Sequence, residues 1–160
     1  MIVSESLTDT LNLGRAIARH ARPGDIICLF GELGSGKTLL TKGIAWGLGI
    51  KRGKIISPTF VLIRHYREGR LPLCHLDLYR LKDDNDILAL GYEEYLYDQA
   101  GIAVIEWADR LKYLLPREYL WVQLLVKGEC RRAIRLKAFG ERYRQLLKEI
   151  YADIRHRHQH

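Results

Sequence analysis

The chain has 160 residues, 48% of them hydrophobic and 28% charged, which is long enough to bury a core as one domain without disulfide or metal staples. No apolar run approaches the roughly 20 residues of a membrane span, "MIVSESLTDT" lacks the layout of a secretion signal, and Cys28, Cys74 and Cys130 show neither zinc spacing nor a disulfide framework; a cytoplasmic protein with no membrane partner is expected. The net charge of +7 is uneven, because the residues from Lys127 onward hold ten Lys/Arg against four Asp/Glu, leaving the preceding part nearly neutral.

"SLTDTLNLGRAIARHARPGD" predicts an opening helix, capped by Ser6 or Thr8 and ended by Pro23-Gly24. "IICLF" is a strand, and a second helix is expected from Lys37 to Leu48 with Gly49 behind it. A turn at Ser57-Pro58 leads into an alternating strand, "FVLIRHY", and "RLPLCHLDLYRL" alternates in the same way across a hairpin connection, "EGR". A short acidic helical segment, "DDNDILALGYEEYLYDQ", follows, and then an apolar run of strand length, "GIAVIEW". "YLWVQLLVKG" and "RRAIRLKAFG" read as a second hairpin. In "ERYRQLLKEIYADI", Tyr143, Leu146, Leu147, Ile150 and Ile154 fall on one helical face, so residues 140–160 form a basic C-terminal helix and tail. The expected fold is α/β, with a central mixed β-sheet flanked by helices in three layers, as one domain over residues 1–160.

Between the first strand and second helix lies "GELGSGKT", which fits G-x-x-x-x-G-K-[ST] with Gly31, Gly36, Lys37 and Thr38 at the fixed places. Glycines at that spacing let backbone N–H groups and a helix N-terminus converge on a polyphosphate. Lys37 then reaches the β- and γ-phosphates, and the Thr38 hydroxyl is placed to ligate Mg²⁺. Gly31, Glu32, Leu33, Gly34, Ser35, Gly36, Lys37, Thr38 and Leu39 are therefore candidate nucleotide-binding residues.

Such a loop needs an acid for the metal at the end of a nearby strand. Glu106 ends "AVIE" as a Walker-B carboxylate would, and it could hold Mg²⁺ directly or through water; the alternative is an exposed acid after a core strand. In "CHLDLYR", His75 and Asp77 share one strand face while Leu76 and Leu78 take the other. Asp77 is a candidate for the metal or for orienting an attacking water, on a strand expected to be more accessible than that of Glu106. The alternative for Asp77 is a surface acid paired with Arg80. In "SPTF", Pro58 sets an extended conformation for Ser57, and Thr59 is suited to sensing a γ-phosphate.

No guanine-reading N-K-x-D segment and no S-G-G-Q signature is present, which argues against GTPases and ABC-type ATPases. The acidic stretch between Asp83 and Gln99 argues against the arginine-rich lid of a small-molecule kinase. Two alternatives stay open: a P-loop kinase of a small hydroxylated substrate, and a nucleotide-gated RNA-binding module using the basic C-terminal segment. That segment reads equally as a core helix with a solvated basic outer face, and the tail "RHRHQH" as a solvated end with a lesser capacity to catch a metal.

Taken together and in order, "GELGSGKT", "SPTFVL", "HLDLYRL", "LGYEEYL" and "VIEWADRL" resemble the TsaE (YjeE) family of bacterial P-loop ATPases, over about residues 7–132. The resemblance implies a small Mg²⁺-dependent ATPase, weak alone, of tRNA N6-threonylcarbamoyladenosine biosynthesis. It implies action with the partner proteins TsaB and TsaD, whose group-transfer cycle ATP hydrolysis resets, and contact with tRNA through that complex. It further implies Lys37, Asp77 and Glu106 as catalytic groups, Thr38, Glu106 and Asp77 around the metal, Thr59 in a switch-like segment and Trp107 beside the nucleotide. One departure is Leu39, where the family often has a second threonine; loss of that hydroxyl implies weaker nucleotide binding.

Overall fold

The computed structural model describes residues 1–55 and 63–157. Among them, seven strands form one sheet: β1 (Ile2–Ser4), β2 (Ile26–Phe30), β3 (Ile63–Tyr66), β4 (Leu73–Asp77), β5 (Ile102–Glu106), β6 (Tyr119–Val126) and β7 (Arg132–Phe139). Their order is β1-β7-β6-β2-β5-β4-β3. β2 pairs in parallel with β5 and β6, and β4 with β5. Both expected hairpins are present as antiparallel pairs, β3 with β4 and β6 with β7. The sheet is mixed for a local reason: short connections join hairpin strands, whereas parallel neighbours need a crossover.

The central strands read as unbroken apolar runs because both of their faces are covered. On one face pack α1 (Leu7–His20), α2 (Lys37–Gly47) and α5 (Glu141–Arg157), around Ile17, Ile27, Leu29, Leu40, Ile44, Leu146 and Ile150. On the other lie α3 (Asp84–Ala89), α4 (Tyr92–Leu96) and a 3₁₀ segment (Ala108–Leu114), around Leu76, Leu78, Ile87, Leu96, Ile105 and Leu111. This is the three-layer α/β arrangement expected of the P-loop motif. The apolar face of α5 belongs to the core, with Leu146 and Ile150 fully buried, and Arg144, Lys148 and Arg155 are exposed.

α1 is held against α2 more closely than ordinary side chains permit. A Cβ on Gly14 would lie 2.6 Å from the Leu40 carbonyl oxygen, and one on Gly43 would run into the Leu11 carbonyl. Ser6 caps α1 by accepting from the Asp9 N–H at 3.1 Å, deciding between the two predicted caps. The close crossing brings the first turn of α1 to the end of the sheet where the phosphate loop emerges.

Several local expectations need adjusting. β1 has only three residues and follows no clear alternation; it exists because β7 offers it a free antiparallel edge. The acidic segment is two short helices, α3 and α4. α2 ends at Gly47, and the 3₁₀ segment after β5 was not foreseen. The Ser57-Pro58 turn, Thr59 and the start of the "FVLIRHY" strand lie outside the described residues. Among the described residues, no helix is long and apolar enough to cross a membrane.

Candidate functional site

β2, β4 and β5 run in the same direction, so Phe30, Asp77 and Glu106 all arrive at one end of the sheet. That carboxyl end is where open α/β sheets bind ligands. The loop from Gly31 to Gly36 joins β2 to α2 there. Gly36, at φ +105°, makes the turn into the helix in a conformation that L side chains rarely adopt. Gly31 is required by space as well, since its Cβ would lie 2.5 Å from Ser35 Oγ and 2.6 Å from the Leu124 carbonyl.

Lys37 opens α2 and turns back over the loop. Its Nζ donates to the carbonyls of Gly31 at 2.5 Å and Glu32 at 2.8 Å, and reaches Ser35 Oγ at 3.3 Å. The same nitrogen sits 3.9 Å from the centroid of the Trp107 ring. Burial pushes the Lys37 ammonium below the usual lysine range, while the charges of Glu106, Asp109, Asp77 and Glu32 oppose that shift. The ammonium is desolvated, surrounded by acids and aimed into the loop.

Glu106 is the hub of the polar contacts. It is 2% exposed. Thr38 donates through Oγ1 to Glu106 Oε2 at 2.9 Å, Thr41 Oγ1 lies 3.2 Å from Oε1, and His75 Nε2 lies 2.7 Å from Oε1. A carboxylate only accepts, so Nε2 carries the histidine proton. The Nδ1 of His75 is buried without a hydrogen-bond partner among the described residues. Asp77 pairs in register with Glu106 on the adjacent strand, and its Oδ1 accepts from the Tyr79 N–H at 2.9 Å.

At 3% exposure Asp77 is no surface acid, and its strand is no more accessible than β5, because every residue of β4 is buried. The expectation of an accessible Asp77 strand is therefore corrected: β3 covers the edge of β4, and both layers cover its faces. The exposed-acid alternative for Glu106 fails on the same ground.

A cavity of about 410 Å³ opens over these groups, lined by Leu33 to Leu39, Asp77, Glu106 and Trp107 together with Leu7, Thr10, Tyr79 and Arg132. Trp107 adopts a left-handed backbone conformation, φ +57°, which costs an ordinary residue on the order of 1–2 kcal/mol and holds its ring over Lys37. Tyr79 packs against that ring at 4.9 Å between centroids. Leu39 is half-buried in the cavity wall, and no hydroxyl stands at its position.

The predicted residues thus converge, except Thr59, which lies outside the described residues. Sequence reasoning missed Thr41, His75 as a partner of Glu106, and Arg132. Thr41 carried a usable signal, lying one turn after Thr38 on the same helix face. Arg132 carried none, because it is far along the chain and reaches the loop only through the pairing of β6 with β7.

The oxygen donors present, among them the Thr38 hydroxyl and two buried carboxylates beside an N–H-rich loop and an ammonium, suit a hard divalent cation with a polyphosphate. Among the described residues no group of three or more His, Cys, Asp or Glu is placed to hold a metal ion.

Comparison with known proteins points the same way. The family model described as "Threonylcarbamoyl adenosine biosynthesis protein TsaE" matches residues 4–134. A protein of Bacillus subtilis (strain 168), named tRNA threonylcarbamoyladenosine biosynthesis protein TsaE, is 42% identical, the match covering 89% of this chain and 87% of that protein. Proteins of the same name from a Nostoc species and from Treponema pallidum are 43% and 40% identical, each match covering 82% of this chain and 81% and 96% of those proteins. Among solved structures, that of Bacillus subtilis YdiB superposes with a TM-score of 0.82 at 35% identity, covering 95% of this chain and 93% of that one. With its phosphate loop, paired carboxylates and sheet order in place and a family match over most of its length, the chain belongs to the TsaE family.

Proposed function

We propose that this protein binds and hydrolyses ATP with Mg²⁺ as a component of tRNA threonylcarbamoyladenosine biosynthesis, working in the cytoplasm with TsaB and TsaD. The observation that carries the reading is the 2.9 Å contact between the Thr38 hydroxyl and Glu106, which joins the phosphate loop to the end of the neighbouring strand. Family membership supports the pathway, since the matched relatives are named for it.

In this reading Lys37 and the loop N–H groups bind the phosphates. Thr38 and Glu106, with Asp77 as a further carboxylate, would hold Mg²⁺, which when bound would supply charge neutralisation at the phosphates. Asp77 orients the attacking water. Trp107 and Tyr79 wall one side of the cavity. The motifs resemble those of an ATPase that acts inside a complex, so turnover by the isolated protein is slow. A group supplied in trans to P-loop enzymes accelerates hydrolysis by about 10³–10⁵.

The test is phosphate release from ATP by the protein alone and with the TsaB–TsaD pair plus tRNA. Slow release alone and strong acceleration in the assembly is the expected result. Fast release unaffected by partners, or phosphate appearing on a small acceptor, contradicts it.

A further inference from the structure

Arg132 opens β7, is 9% exposed, and is one of ten basic residues in the C-terminal part of the chain. Unlike Arg144, Lys148 and Arg155, which are exposed on α5, it points inward. Its Nε donates to the Ser35 carbonyl at 2.9 Å and Nη2 to the Gly34 carbonyl at 3.2 Å, both in the phosphate loop. On its other side Nη1 donates to the carbonyls of Gly128, Glu129 and Arg131 at 2.9, 3.0 and 3.0 Å, in the turn between β6 and β7. One guanidinium therefore joins the phosphate loop to a hairpin almost a hundred residues away.

The consequence follows from the peptide plane. In a trans peptide the C=O of one residue and the N–H of the next point in opposite directions. Holding the Ser35 carbonyl toward Arg132 aims the Gly36 N–H away from it. Holding the Gly34 carbonyl aims the Ser35 N–H back to the Glu32 carbonyl, a contact present at 3.1 Å that closes the turn. Lys37 takes up the Gly31 and Glu32 carbonyls from within the loop. A loop meant for an anion must keep its carbonyl oxygens off the ligand, and these two cations divide that task.

We propose that Arg132 is a positioning residue for polyphosphate, fixing the carbonyls of Gly34 and Ser35 outward and making the β6–β7 turn part of the nucleotide site. This rests on the nucleotide-binding reading above. The planar fork matters because an ammonium at the same place is a single point that cannot span both the loop and the turn.

The experiment compares ATP and inorganic tripolyphosphate affinities, by calorimetry, for the wild type, Arg132→Lys and Arg132→Met, at a temperature where circular dichroism shows each folded. Arg132→Met is expected to weaken both ligands by roughly tenfold or more, as loss of charge-assisted contacts does. Arg132→Lys should fall between, several-fold weaker than wild type. Full affinity in Arg132→Lys overturns positioning in favour of charge alone. A lowered melting temperature with unchanged affinity in either variant overturns it in favour of a purely structural role. If Arg132→Met does not fold, Arg132→Lys decides by the same criteria. A wild type that binds neither ligand overturns the nucleotide reading itself, and this inference with it.

Discussion

Lys37, Glu106 and Asp77 differ in what surrounds them, and so in what each substitution should do. Lys37 contributes a desolvated charge inside the loop, so Lys37→Ala should weaken ATP binding by roughly ten- to a hundredfold while the fold survives; calorimetry on the folded variant checks it. Glu106 gathers Thr38, Thr41 and His75 around it, whereas Asp77 accepts from the Tyr79 N–H. Glu106→Gln should therefore lose most of the Mg²⁺-dependent part of ATP affinity. Asp77→Asn should retain binding but lower turnover in the assembled complex by about a hundredfold or more, as loss of a proton-accepting group does. The measurements are ATP affinity with and without Mg²⁺, and phosphate release in the complex. An exchange of the two phenotypes would exchange the two roles. The two acids themselves were legible in "HLDLYRL" and "VIEWADRL", but the depth of Asp77 was not, because alternation along one strand says nothing of what its neighbours cover.

Among the elements, the crossing of α1 and α2 does most to shape the site, since it sets the first turn of α1 beside the phosphate loop. Gly43 permits it. Gly43→Ala places a Cβ against the Leu11 carbonyl, and relieving such a backbone contact costs about 3 kcal/mol. The helix propensity gained by alanine returns only about 1 kcal/mol. The net loss should lower the melting temperature by roughly 4–8 °C at this chain length, measurable by calorimetry or circular dichroism. An unchanged melting temperature would show that the two helices can separate freely. The sequence foretold both helices from their periodicity and caps, yet not their contact. A glycine inside a helix signals close approach without naming the partner.

For the molecule as a whole, the buried thiols predict behaviour at alkaline pH. Burial pushes the Cys74 thiol from its ordinary 9.0 up to about 12, with a lesser contribution from the Asp98 charge. Burial raises Cys28 as well, and Cys130 is exposed. Where a group binds its proton more tightly in the native state than in the unfolded one, stability falls as pH rises. The contribution of Cys74 is thus intact below about 9 and is lost progressively between 9 and 12. Denaturant titrations from pH 7 to 11 should show this decline, and replacing Cys74 with alanine should reduce its slope. In the native protein at pH 8 a thiol reagent should label Cys130 promptly and the other two only on unfolding. Prompt labelling of all three would contradict the burial described.

Local patterns were enough to identify the phosphate loop, the two hairpins, the core face of the terminal helix and the acids at the ends of two strands. Each of these is written in a short window: glycine spacing, alternation, a 3.6-residue period, an apolar run closed by a carboxylate. The ordered motifs that suggested the family are local in the same sense. The remaining features depend on which distant segments meet. β1 forms because β7 presents it an edge, His75 meets Glu106 because β4 lies beside β5, and Arg132 reaches the loop because β6 and β7 pair. Pairing across a sheet is settled by burial and hydrogen bonding summed over the whole chain, and no short window of residues contains that sum.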